Sequence, residues 1–162
     1  MEQDEQIKAH LMWIWGQKPG IIKRGVEGMM IITNRRIAFI TKTSMTYKVH
    51  DANSLKQLKR FKDGEDVFRP IYGYTIKDLI SDLAMSNKNL EIPYERILDI
   101  FTEDKRWGTL LKIRFSFEGK LETYMFSVVK GWVKYPLKDP IEFQRIDWNP
   151  LIKIFKCLNF QN

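Results

Sequence analysis

The amino-acid sequence predicts a mainly β protein with helices: a two-sheet antiparallel β-sandwich or partly open barrel, capped by a C-terminal α-helix and carrying a helical insertion. Three observations predict it. Short apolar runs joined by tight turns recur at 7–16, 29–41 and 90–129. Residues 43–89 break that rhythm with helical spacing. Residues 149–160 close the chain with an apolar stripe. At 162 residues the chain is long enough for one well-buried core, and one domain over 1–162 is expected.

Composition narrows the class. Hydrophobic residues make up 44% and aromatic residues 13%, which excludes a disordered chain and fits a soluble globular protein. No apolar run approaches about 18 residues, so no transmembrane segment is expected. The opening MEQDEQ is acidic, the opposite of a secretory signal. Cys157 is the single cysteine and can form no internal disulfide, which fits a cytoplasmic location. It is expected as a small buried hydrophobe on the last helix. The net charge of +7, from 27 basic and 20 acidic residues, suits an anionic partner, although solubility alone also accounts for it.

Taken in order, residues 6–16 (QIKAHLMWIWG) match strict alternation at Ile7, Ala9, Leu11, Trp13 and Trp15 better than helical spacing, so a strand is expected. Gly16 to Gly20 reads as a loop, and Ile21 to Arg24 leads to a central hairpin. There, Met29–Thr33 and Arg36–Thr41 flank Asn34 and Arg35. A two-residue loop sets Ile32 opposite Ile37 and Met30 opposite Phe39, with Ile31 against Ala38 and Met29 against Ile40 on the reverse face. Both faces are apolar, so both require cover.

Within the insertion, residues 51–61 read as a short basic helix with Leu55 and Leu58 on one side and Lys56, Lys59 and Arg60 on the other. Gly64, Pro70 and Gly73 mark a loop. Thr75 and Asp78 then form a capping box before Ile76, Leu79, Ile80 and Leu83, a stripe suited to the hairpin face that carries Met29, Ile31 and Ile40.

Leu90 to Ile92 reads as a short strand stopped by Pro93, hence an edge strand. Residues 97–103 form a strand and 104–108 a turn. Residues 109–117 alternate, with Leu111, Ile113, Phe115 and Phe117 on the apolar side. A turn at Glu118-Gly119 pairs Ile113 with Tyr124 and Leu111 with Phe126, giving a meander apolar on one face and polar on the other. An irregular stretch with Pro136 and Pro140 follows. Asn149 then reads as N-cap and Pro150 as the first helical residue ahead of Leu151, Ile154, Phe155 and Leu158.

Gly28, Thr33, Asn34, Arg36, Ile37 and Phe39, with Ile92-Pro93-Tyr94, Ile97, Lys112-Ile113 and Phe126 further on, carry a resemblance. The pattern resembles the pleckstrin-homology-like (PH-like) superfamily, in its GRAM-like and bacterial PH-like branch, over about two-thirds of the chain. The insertion at 43–89 departs from that pattern, and Lys18, Lys23 and Arg24 in the first loop lack the spacing of a phosphoinositide signature. The resemblance implies a binding module rather than an enzyme.

Candidate chemistry is sparse. His10 and His50 lack a second ligand at metal spacing, and no phosphate-binding glycine loop appears, so neither metal nor cofactor is expected. Glu91, Glu95, Asp99, Glu103 and Asp104 read as edge-protecting charges before they read as acid–base pairs. The strongest feature is Lys105-Arg106-Trp107-Gly108, a tryptophan following two cations at a hairpin tip, suited to a lipid interface unless Trp107 folds back on the sheet. Lys112 and Arg114, with Lys120 nearby, add a basic strip. The expected function is a non-catalytic module that uses Lys18, Lys23, Arg24, Lys105, Arg106, Trp107, Lys112 and Arg114 to engage an anionic lipid surface or a protein partner. Nucleic-acid binding through the basic sheet face and the Lys56, Lys59, Arg60 helix is the alternative, though the sheet lacks an aromatic row for stacking. An enzyme with a nonlocal site is a third reading. Edge strands leave homo-oligomerisation open.

Overall fold

A computed structural model describes residues 4–19, 25–130 and 141–159. Lys23, Arg24, Trp132, Pro136, Pro140 and the side chain of Leu158 lie outside the described residues. Among the described residues the protein is mainly antiparallel β with three α-helices, one of them in the C-terminal part, as the sequence predicts. Its strands are β1 (Ile7–Gln17), β2 (Val26–Thr33), β3 (Arg36–Ile40), β4 (Leu90–Pro93), β5 (Ile97–Lys105), β6 (Gly108–Phe117), β7 (Lys120–Val129) and β8 (Phe143–Gln144). The helices are α1 (Tyr47–Asp63), α2 (Ile76–Met85) and α3 (Asn149–Asn159). Hydrogen bonding runs in the order β4-β3-β2-β1-β7-β6-β5, with β8 beside β7. Two compact units result: residues 1–12 with 29–93, and residues 13–28 with 94–162.

In the first unit, the β2–β3 register is the one the apolar pattern requires: Ile32 faces Ile37, Met30 faces Phe39, Ile31 faces Ala38 and Met29 faces Ile40. All eight side chains are buried. Asn34-Arg35 makes a tight turn without glycine because the Thr33 hydroxyl accepts from the Arg35 and Arg36 N–H groups, both at 3.0 Å. The same corner ties down the chain's start. Arg36 donates twice to the Glu5 carboxylate, at 2.8 and 2.7 Å, and once to Glu91, at 2.6 Å. Burial would raise the Glu5 pKa, but the hydrogen bonds from Arg36 and Thr33 outweigh it and hold the carboxyl below its ordinary value. β4 pairs through Ile92 with Ile37 and ends on Pro93, an edge strand as predicted.

The insertion differs from its sequence reading. Helix α1 spans 47–63 rather than 51–61, capped by the Thr46 hydroxyl at one end and by left-handed Gly64 at the other. It turns Asn53, Ser54 and Gln57 inward and leaves Leu55 59% exposed, while Leu58 is half-buried. The reason lies in β1, whose His10 and Met12 N–H groups need partners beyond the strands. The Arg69 carbonyl accepts from His10, and the Gln57 side chain bonds both the N–H and the C=O of Met12, at 2.6 and 2.9 Å. A primary amide can do this and a leucine cannot.

Helix α2 carries the predicted capping box, with Thr75 and Asp78 reciprocally bonded. Leu79 is fully buried, yet Ile80 is 52% exposed, so the apolar stripe is narrower than its spacing suggested. Asp82 takes the inward place. It accepts from the Tyr74 and Thr43 hydroxyls and from the Ser44 N–H, at 2.8, 2.6 and 2.9 Å. His10 lies edge-on to Tyr74 and 3.3 Å from the Met29 sulfur.

In the second unit, β1 resumes after Trp13, whose φ of 52° breaks the alternation, and pairs Ile14 with Val128 and Gly16 with Phe126. The meander keeps its expected register, Ile113 against Tyr124 and Leu111 against Phe126. Glu118 and Gly119 both have positive φ, 49° and 76°, the conformation a type I′ turn demands. Helix α3 buries Leu151 and sets Phe155 beside Tyr94. Its start is held by Asp147, whose carboxylate accepts from the Asn149 N–H, and by the Trp148 carbonyl, so Asn149 is inside the helix rather than its cap. Cys157 is exposed, not buried: the stripe that packs inward is the one carrying Leu151 and Phe155, and Cys157 falls outside it.

Candidate functional site

The β5–β6 tip assembles the clearest surface chemistry. Lys105 pairs with Gly108, so Arg106-Trp107 is a two-residue loop, tighter than the five-residue turn read from the sequence. A segment that the sequence left irregular braces it. β8 pairs Phe143 with Val129 and Gln144 with Val128, and the Thr109 hydroxyl both accepts from the Ile146 N–H and donates to the Ile146 carbonyl, each at 2.9 Å. The intervening Arg145 guanidinium then donates to the Lys105 and Arg106 carbonyls, at 2.9 and 3.2 Å. Trp107 leans on Phe143, ring centroids 4.7 Å apart, yet stays 44% exposed. Gly108 permits this, because a Cβ there would stand 3.1 Å from that of Phe143.

The charges around the tip are unequal. Glu103 accepts from Lys112 at 2.7 Å and Lys105 at 3.0 Å, and these two contacts hold its carboxyl below the ordinary value. Lys112 also lies 5.8 Å from the Phe101 ring centroid. Arg106 is exposed and makes no ion pair among the described residues. Beside the tip, an open cleft of about 440 Å³ is lined by Thr102, Asp104, Thr109 and residues 145–149.

Of the sequence-predicted residues, Lys105, Arg106 and Trp107 come together, with Lys112 joined through Glu103. The others stand apart. Arg114, opposite Asp99 and Thr123, is six residues along β6 from Gly108, roughly 20 Å away. Lys18 pairs with Glu122 at 3.5 Å and lies over Tyr124, level with Phe115 still further along. Lys120 pairs with Phe117, which places it on the opposite sheet face from Lys112 and Arg114, so it is no part of a strip with them. Lys23 and Arg24 lie outside the described residues. Sequence reasoning missed Arg145 and Phe143, although the alternation Phe143-Gln144-Arg145-Ile146 was a short strand signal. Of the acidic residues read as edge-protecting charges, Glu91 bonds Arg36, Glu103 bonds two lysines, and Asp104 lines the cleft.

No helix among the described residues is long and apolar enough to cross a membrane, and none of those residues form a group of three or more metal-ligating side chains. The fold and tip together define a mainly antiparallel β protein with a braced basic-aromatic hairpin. No protein-family model matches the chain, and no curated protein matches its sequence. Among solved structures, the hSac2 domain from human phosphoinositide phosphatase Sac2 aligns with a TM-score of 0.47 at 9% identity, covering 99% of this chain and 75% of that one.

Proposed function

We propose that this chain is a non-catalytic binding module of the PH-like type whose β5–β6 tip engages an anionic membrane surface. The observation that carries the reading is Trp107, 44% exposed on the two-residue loop Arg106-Trp107 that follows Lys105. An indole placed this way suits the interface, where its ring meets acyl chains and its N–H meets headgroups. Each cation near an anionic surface adds about 1 kcal/mol. Arg145 favours the reading because it holds the loop carbonyls in place before any ligand arrives, so less ordering is needed on binding. The sequence resemblance described above points the same way.

Sedimentation with phosphatidylserine-containing vesicles against pure phosphatidylcholine tests it. Binding should require the anionic lipid and weaken with salt. Lys105→Glu with Arg106→Glu should lower the partition coefficient by roughly 30-fold or more. Trp107→Ala should lower it on both salt arms, since the ring's contribution is not screened. Partition unchanged by the charge reversal would remove the tip from the function.

A further inference from the structure

We infer that the outer face of α1 is a second anionic-membrane contact, in which four lysines lie on the headgroups around an inserted Leu55. The helix is built inside out. Its buried side chains are Asn53, Ser54 and Gln57, whereas Leu55 is 59% and Tyr47 75% exposed. At about 100° per residue, Lys48, Lys56, Lys59 and Lys62 fall within an arc of about 120° that also contains Leu55 and lies opposite the buried amides. Along the axis they span roughly 21 Å. All four are exposed, and none makes an ion pair among the described residues.

Helix stability does not explain this arrangement. Lys62, with Arg60, sits in the last turn, where a cation complements the helix dipole. Lys48 sits in the first turn, where a cation opposes it, and no acidic residue is present there to offset the charge. The only acidic side chain exposed along α1 is Asp63, at its last position and within the same arc, so four lysines outnumber one carboxylate on this face. A row of lysines with an apolar residue in its midst fits a surface that is anionic and has an apolar layer just beneath, which is a bilayer interface. A phosphate backbone would satisfy the lysines and leave Leu55 without a partner.

The inference stands apart from the Trp107 tip, and its test uses the intact chain with phosphatidylserine-containing vesicles, phosphatidylcholine vesicles and a mixed-sequence oligonucleotide. Lys56→Ala with Lys59→Ala should lower partition onto the anionic vesicles by roughly 25-fold, at about 5-fold per lysine. The same factor should appear in the Lys105→Glu, Arg106→Glu background, which separates this face from the tip. Leu55→Asn should lower vesicle partition several-fold and move the urea unfolding midpoint by no more than a few tenths molar, because the side chain is already largely exposed. Unchanged vesicle partition in the lysine variant would overturn the proposal. So would a loss confined to oligonucleotide binding, which would make the face a nucleic-acid surface.

Discussion

Replacing Gln57 with methionine isolates the energetic role of α1. The substitution nearly conserves volume and keeps the helix, since methionine is as good a helix former as glutamine. What it removes is the pair of bonds to Met12, whose residue is fully buried and whose N–H and C=O have the Gln57 amide at 2.6 and 2.9 Å. Leaving two buried backbone groups unsatisfied costs about 1–3 kcal/mol each, so the variant should lose about 2–6 kcal/mol of stability. That is a large part of the about 5–15 kcal/mol expected of a domain. With an m-value of about 2 kcal/mol/M in urea, the unfolding midpoint should fall by roughly 1–3 M. Leu55→Ala, two residues away on the exposed side, provides the control and should move the midpoint by no more than a few tenths molar. Gln57→Met and Leu55→Ala unfolding at the same midpoint would refute the account of why this helix faces its amides inward.

Three further outcomes follow from the same structure. His10 is wholly buried, and this desolvation, with a smaller push from His50, lowers its pKa to about 3; unfolded, it titrates near 6.5, so its contribution is complete above that pH. It is lost at roughly 1.4 kcal/mol per pH unit as the pH falls from there toward about 3, and His10→Phe should flatten urea midpoints measured across the window. Glu118 holds a φ of 49° in the β6–β7 turn, so Glu118→Asn should raise stability by about 1 kcal/mol, visible as a higher thermal midpoint; an unchanged or lower midpoint would contradict the turn assignment. Cys157 is exposed, so one equivalent of a maleimide reagent should react with the native protein as fast as with the unfolded chain, whereas strong protection would restore the buried placement.

Much of the fold was legible because strand pairing leaves a local trace. Apolar residues in the two hairpins repeat with period two around short loops, and only one register sets Ile32 against Ile37 or Ile113 against Tyr124. The capping box of α2 and the edge position of β4 are likewise written in a few neighbouring residues. The Lys105-Arg106-Trp107 part of the candidate site was visible for the same reason, since a turn and its charges are contiguous.

What the sequence by itself determined, then, is which residues pair within the β2–β3 and β6–β7 hairpins, and that helices lie in the insertion and near residues 149–160. Only the tertiary structure decided which side of α1 faces in, because that depends on unpaired backbone groups of Met12, 45 residues away in the chain. It also decided that Phe143 and Arg145 brace the tip through a strand two residues long. In each case the deciding partner is a backbone donor or acceptor brought close by folding. Side-chain periodicity reports where apolar surface lies, and it carries no record of which distant N–H or C=O needs a partner.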